Sequence, residues 1–308
     1  KNITEECRSN LQDIAYRARE RGIKVIDEQL WEKENGRWQL VMKVMVKDGC
    51  VTTRELTKAV AGALNRRMIP EKDTKTLIGK GVNLYTYEEE PRFQAIYGVA
   101  RMVKDGAAVS GDNFSFLEPE SGKMVMCLSD GMGSGSLACK ESEMVIELVE
   151  KFLEAGFDVE TAARMMNSAM VMKGQEDLFS TVDISELDLY DGTCRFYKIG
   201  AAATFIRRNG IVECLISTSL PVGVSYKLDM EKSEKDLYNG DFLVMVSDGV
   251  LEYLHVPNPE ETMQEIIESI ETNNATILAK RILERVLLFT GGKAADDMTV
   301  LATAIWEK

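Results

Sequence analysis

Aspartates at four places in this 308-residue chain share one local setting. Asp130 follows the apolar run "MVMCLS" and Asp248 follows "FLVMVS", and each is succeeded by glycine. The pair Asp296-Asp297 stands directly before "MTVLATAI", and Asp112, in "SGDNF", stands just before "FSFL". An apolar strand holds its terminal residue at the edge of a sheet, where the adjoining loop lets a carboxylate point into a cleft. Carboxylates that converge there repel one another unless cations neutralise them. A donor set of carboxylate and carbonyl oxygens, with no imidazole or thiolate, suits hard ions, Mg²⁺ or Mn²⁺. Asp-Gly alone is a common turn and Asp-Asp before a strand is commonly solvated, so the combination carries the signal.

The stretch "KMVMCLSDGMGSGS" (123–136) also poses the question of a phosphate cradle. A P-loop needs GxxxxGK[ST], and the first lysine after Gly131 is Lys140, too far along. A dinucleotide fingerprint needs GxGxxG, and the third place holds Ser136. Neither pattern fits, although the glycines let backbone approach a ligand closely. The single histidine, His255, excludes a multi-histidine zinc site and leaves a Ser-His-Asp mechanism resting on one residue. The six cysteines show no CxxC spacing, and several sit in apolar runs, which reads as reduced core thiols.

The elements that must position these residues belong to a globular chain: 45% hydrophobic, 28% charged, with 6 prolines. A net charge of −13 opposes nucleic-acid binding, which needs a basic face. No apolar run approaches the ~20 residues of a membrane span. The N-terminus lacks the apolar core and cleavage site of a signal peptide. The chain starts at Lys1 rather than Met, so a piece of a longer protein is expected.

Residues 4–21 predict a helix, with Thr4 as cap, Glu5 and Glu6 in the first turn and Cys7, Leu11, Ile14 and Ala18 as its stripe. A hairpin follows, turning at Asn35-Gly36, with Trp38, Leu40, Met42, Val44 and Val46 on one face. Thr52 and Glu55 suggest a capping box for a helix to about Asn65, and 66–82 reads as loop. From about 83 short strands dominate: "RFQAIYGVARMV", "DNFSFLEPESGKMVMCLS" with its turn at 119–122, "STVDISELDLY", "CRFYKIG", "TFIRRNGIVECLIS" turning at Asn209-Gly210, "FLVMVSDG" and "MTVLATAIWE". Helices are expected at 137–155, 159–172, 260–271 and 275–290. Blocks of strands and of helices, without strict alternation, predict an α+β fold with mostly antiparallel sheets.

Taken together, "SGDNF", "SDGMGSG", "PVGV", "SDGV" and "DDMTV" resemble the successive motifs of the metal-dependent protein phosphatase (PPM) family, and within it the bacterial branch containing stage II sporulation protein E. The resemblance spans about 93–308. It implies an antiparallel β-sandwich flanked by helices (93–308), with 1–92 as a smaller α+β regulatory unit. It also implies two Mn²⁺ or Mg²⁺ ions and hydrolysis of phosphoserine or phosphothreonine without a covalent phosphoenzyme. By the same resemblance Asp130 bridges the ions and Gly131 lends a carbonyl. Asp248 and Asp296 complete the second ion, and Asp112 holds the first directly or through water; Asp112 and Asp130 are thus the expected catalytic residues. Asp297 stands where many relatives have Asn, and Ser134 where bacterial members often have His or Asn. No counterpart of the phosphate-binding arginine of eukaryotic relatives is evident; Arg92 and Arg101 match no motif, and His255 reads as structural.

The same branch implies a phosphorylated anti-anti-sigma-factor protein as substrate, its dephosphorylation releasing a sporulation sigma factor. Self-association through the N-terminal unit is a further expectation, as is the cytoplasmic portion of a membrane-anchored protein whose membrane segment lies outside this chain, in a spore-forming bacterium. Two other readings stay open at this point: a scaffold or oligomerisation module that retains the fold, and a hydrolase of small phosphoesters.

Overall fold

Leu40, Met42, Val44 and Val46 alternate in sequence and are all buried, one face of a strand pressed on two helices. That contact organises the first of two compact units, Lys1–Pro91 and Arg92–Lys308. The computed structural model describes residues 5–33, 36–71, 73–119, 122–133, 135–172 and 179–308. The expected cap Thr4, turn residue Asn35, part of the 119–122 turn and Ser134 lie outside them.

In the first unit, α1 (Glu5–Glu20) and α2 (Thr53–Leu64) share a core with β1 (Ile23–Glu32), β2 (Trp38–Val46), β4 (Met68–Pro70) and β6 (Asn83–Glu89). The sheet order is β1-β2-β6-β4, and β1 and β2 are the expected antiparallel pair. Two expectations are corrected. Residues 66–82 are not plain loop: they contain β4 and β5 (Leu77–Ile78), recruited by pairing with β6 and with β3 (Val51–Thr52). The capping box does not form, because Thr52 is engaged in that β3 pairing and makes no side-chain cap bond. Glu55 instead meets Lys58 and Arg21.

The second unit is a sandwich of two five-stranded sheets in which every pairing is antiparallel. One sheet contains β8 (Asp112–Leu117), β9 (Lys123–Gly131), β10 (Ser180–Asp188), β11 (Thr193–Ile199) and β14 (Glu231–Asp236), in the order β14-β11-β10-β9-β8. The other contains β7 (Phe93–Met102), β12 (Thr204–Arg208), β13 (Ile211–Leu215), β15 (Phe242–Val246) and β16 (Met298–Glu307), in the order β13-β12-β15-β16-β7. A core that includes Met126, Leu128, Phe196, Leu243, Met245 and Leu301 fills the space between the sheets. Helices α3 (Ser136–Glu154) and α4 (Val159–Met172) cover the outer face of the first sheet. Helices α5 (Asp248–Glu252), α6 (Pro259–Glu268) and α7 (Ala275–Phe289) cover the outer face of the second. The fold is thus the expected α+β arrangement of antiparallel sheets flanked by helices. The β12–β13 hairpin turns at Asn209 and Gly210, whose φ values of 51° and 81° are those its tight turn requires.

Candidate functional site

Strand register brings the first two aspartates side by side. Asp112, which opens β8, is the cross-strand partner of Asp130 near the end of β9, so both carboxylates lie on one face. β9 continues through Gly131 instead of stopping ahead of Asp130, because Asp130 and Gly131 still pair with Thr181 and Ser180 of β10. The other sheet delivers Asp248 where β15 gives way to α5, and Asp296 just before β16. Ser247 and Thr299 lock that junction: Ser247 N–H donates to the Thr299 carbonyl, and Thr299 N–H donates to Ser247 Oγ.

Asp130 senses the other three carboxylates. Burial, and then the charges of Asp112, Asp248 and Asp296, push the Asp130 carboxyl up to about 9. Burial, with Glu252 and Asp112 adding to it, raises Asp248 to about 6. Asp112 is fully buried and is raised chiefly by that burial; the Thr299 hydroxyl, donating to its Oδ2 at 2.6 Å, pulls the other way. Its second oxygen, Oδ1, is buried and accepts no hydrogen bond among the described residues. The carboxylates are neighbours and not a closed cage. Among the described residues no three Asp, Glu, His or Cys side chains form a closed ligand set, whereas a hard ion commonly takes one or two carboxylates and completes its shell with water.

An orphaned oxygen on Asp112, crowded desolvated carboxylates and an all-oxygen donor set fit a hard divalent cation. The backbone supports the same reading. A β-carbon on Gly131 would lie 2.2 Å from the Ala138 carbonyl oxygen, so only glycine lets β9 run this close to the start of α3.

Asp297 has a different task from Asp296. It is buried, and its two carboxylate oxygens accept the backbone N–H groups of Lys104 (2.9 Å) and Gly111 (2.7 Å), pinning the loop that leads into Asp112. Asp296 is one-third exposed, accepts only its neighbour's N–H among the bonds seen, and has Lys104 Nζ at 4.0 Å. Arg101, which no motif singles out, donates to the Asp112 carbonyl at 2.7 Å and lies opposite Thr299 in the β7–β16 ladder. One cross-strand pair therefore grips Asp112 by both its main chain and its side chain. Ser142 and Asn113 were not legible either: Asn113 donates to Ser142 Oγ, and Ser142 donates to the Gly111 carbonyl, tying α3 to β8. Only the strand register and the tertiary contacts reveal these partners. Arg92 pairs with Glu307 at the surface, and exposed His255 packs edge-on against Tyr253.

A family model described as stage II sporulation protein E (SpoIIE) matches residues 120–305. The chain is 29% identical over 285 residues to the stage II sporulation protein E of Bacillus subtilis, covering 92% of this chain and 34% of that protein. It thus spans about a third of that relative's length. It is 35% identical over 86 residues to the phosphoserine phosphatase RsbX of the same organism, covering 28% of this chain and 41% of RsbX. A solved structure of the PP2C phosphatase domain and a fragment of the regulatory domain of Bacillus subtilis SpoIIE superposes with a TM-score of 0.74 at 28% identity, covering 97% of this chain and 87% of that one. With its sandwich, its strand-end aspartates and a family match over most of Arg92–Lys308, the chain belongs to the SpoIIE family of PPM-type phosphatases.

Proposed function

We propose that Arg92–Lys308 is a divalent-cation-dependent protein-serine/threonine phosphatase domain and that Lys1–Pro91 regulates it. The observation that carries this reading is the convergence of Asp112, Asp130, Asp248 and Asp296 from both sheets, with buried Asp112 paired across the ladder to Asp130. Asp130 and Gly131 would hold two ions between them, joined by Asp112 on one side and by Asp248 and Asp296 on the other. When bound, Mn²⁺ or Mg²⁺ supplies Lewis acidity, making water acidic enough to react near neutral pH and offsetting charge on the phosphoryl oxygens.

The protein's own contribution is placement. Thr299 orients the Asp112 carboxylate and Arg101 its main chain, while Asp297 holds the 104–111 loop and Gly131 brings its backbone against α3. No side-chain nucleophile is required, which accords with a lone, exposed His255 that belongs to none of the motifs. The substrate is a phosphoserine protein; the SpoIIE relationship supports a phosphorylated anti-anti-sigma-factor protein and so a role in sigma-factor control during sporulation. The same relationship supports a membrane-anchored full-length protein with this part on the cytoplasmic side, and self-association through the N-terminal unit. In this chain no described helix is long and apolar enough to cross a membrane.

The test is phosphate release from a phosphoserine protein with Mn²⁺, with Mg²⁺, with EDTA, and for Asp130→Asn. The expected result is turnover with cation and a loss of at least about a hundredfold with chelator or variant, the scale of removing one main electrostatic contributor. Turnover indifferent to EDTA and to Asp130→Asn overturns the reading. Turnover confined to small phosphate esters replaces the protein substrate with a small one.

A further inference from the structure

A second charged cluster is shut inside the sandwich. Lys198 Nζ lies 2.5 Å from Asp183 Oδ2 and donates to Thr204 Oγ1 at 2.8 Å, while the Thr204 hydroxyl donates to the same Asp183 oxygen at 2.6 Å. The Lys198 and Asp183 side chains are 4% and 2% exposed, and Thr204 is fully buried. None of the three belongs to the carboxylate quartet. A buried ion pair costs heavily to desolvate and adds little net stability, so its place in the fold matters more than its strength.

That place is beneath the quartet. Asp183 and Lys198 are cross-strand partners on β10 and β11, and Asp183 lies two residues along β10 from Thr181, the partner of Asp130. Period-two alternation therefore puts Asp130, Thr181, Asp183 and Lys198 on the same inner face. Thr204 opens β12 in the opposite sheet, where it pairs with Met245, three residues before Asp248. The cluster thus spans the two sheets at the end from which Asp130 and Asp248 emerge. The segment between Lys198 and Thr204 also carries Ala202, and its backbone N–H and the Lys198 charge both oppose the upward push that burial exerts on the Asp248 carboxyl. Asp183 Oδ1 is buried and accepts no hydrogen bond among the described residues, so the cluster does not exhaust its own polar capacity.

We infer that Lys198, Asp183 and Thr204 form an inter-sheet clamp that sets the spacing between the Asp130 strand and the Asp248 junction, and thereby the affinity for divalent cation. They are positioning residues and not ligands, and the inference rests on reading the carboxylate quartet as a cation site.

The test uses variants of the full chain that leave its net charge unchanged. Thr204→Val keeps the shape and removes the hydroxyl, and Thr204→Ser restores it. The double variant Lys198→Met/Asp183→Leu replaces the buried pair with apolar groups, a change that commonly leaves stability intact or improves it. Mn²⁺ binding is read by titration calorimetry and folding by thermal melts. The clamp predicts that Thr204→Val and the double variant bind Mn²⁺ about tenfold more weakly, the lower end of what supporting groups around a metal contribute. Thr204→Ser stays within about twofold, and the double variant melts no lower than the parent. Unchanged Mn²⁺ binding in both altered chains, whatever their melting temperatures, overturns the clamp. A parent chain that binds neither Mn²⁺ nor Mg²⁺ overturns the cation site itself, and the clamp with it.

Discussion

A β-carbon at Gly249 would lie 2.2 Å from the Asp297 carbonyl oxygen, just as one at Gly131 would meet the Ala138 carbonyl. Both obstacles are backbone atoms, so the glycine after each strand-end aspartate is required by close approach of chain to chain. Gly249→Ala must push α5 away from the 296–297 segment, at an overpacking cost of about 1–3 kcal/mol. The expected outcome is a lower melting temperature together with weaker Mn²⁺ binding, since Asp248 and Asp296 stand on the two separated segments. A variant that melts and binds as the parent does would show that the junction yields cheaply. The aspartates were legible because an apolar strand followed by Asp-Gly is a local pattern. The reason for the glycines was not, because their neighbours lie far away in sequence. The same distance hid the role of Asp297, which holds the N–H of Gly111, 186 residues earlier. Lys198 was equally hidden, since a lysine in "CRFYKIG" looks like a surface residue until the ladder turns it inward.

Strongly patterned elements were the readable ones, because their burial follows a period of 2 or 3.6 residues. α3, α4, α6 and α7 fall close to their expected ranges, and β2 shows its alternation as buried and partly exposed positions. Elements recruited by neighbours were missed. β14, with the sequence "EKSEKD", has no apolar face and exists because β11 offers an edge; its charges discourage further strand addition. β1 hides a subtler irregularity. Its register shifts between Val25 and Asp27, which sets Glu28 opposite Met42, a residue buried in the core of the first unit. Burial, with Asp27 alongside, lifts the Glu28 carboxyl to about 7, and its Oε2 is buried without a hydrogen bond among the described residues. A carboxyl raised on folding contributes stability that is fully present below its ordinary value near 4.5 and is lost as pH rises through about 7. Glu28→Gln keeps the neutral form at every pH. Urea melts should therefore show it matching the parent at pH 5 and exceeding it at pH 8. No gain at pH 8 would mean that the ionised Glu28 is accommodated without cost.

At the scale of the whole chain, every residue of the candidate site lies in Arg92–Lys308, which has a core of its own between its sheets and further cores beneath its helices. None of the four candidate carboxylates belongs to the first unit, and the chain passes from that unit into the second at the start of β7. That entry is stitched into the second unit: Phe93 N–H donates to the Leu189 carbonyl, and Lys308 N–H donates to the Arg92 carbonyl. Further along the same strand Arg101 holds the main chain of Asp112. Phe93 and Arg101 share one strand, so a displacement of that strand would act on the Asp112 main chain through the Arg101 bond. Regulation by the preceding unit through this strand would act on one proposed ligand. Removing residues 1–91 should leave a folded domain that still binds Mn²⁺. The same truncation should change either the rate of phosphoserine hydrolysis at saturating Mn²⁺ or the Mn²⁺ concentration that gives half of that rate. A truncated chain with both values unchanged would remove any regulatory role for the first unit, and one that no longer binds Mn²⁺ while still folded would make that unit part of the cation site.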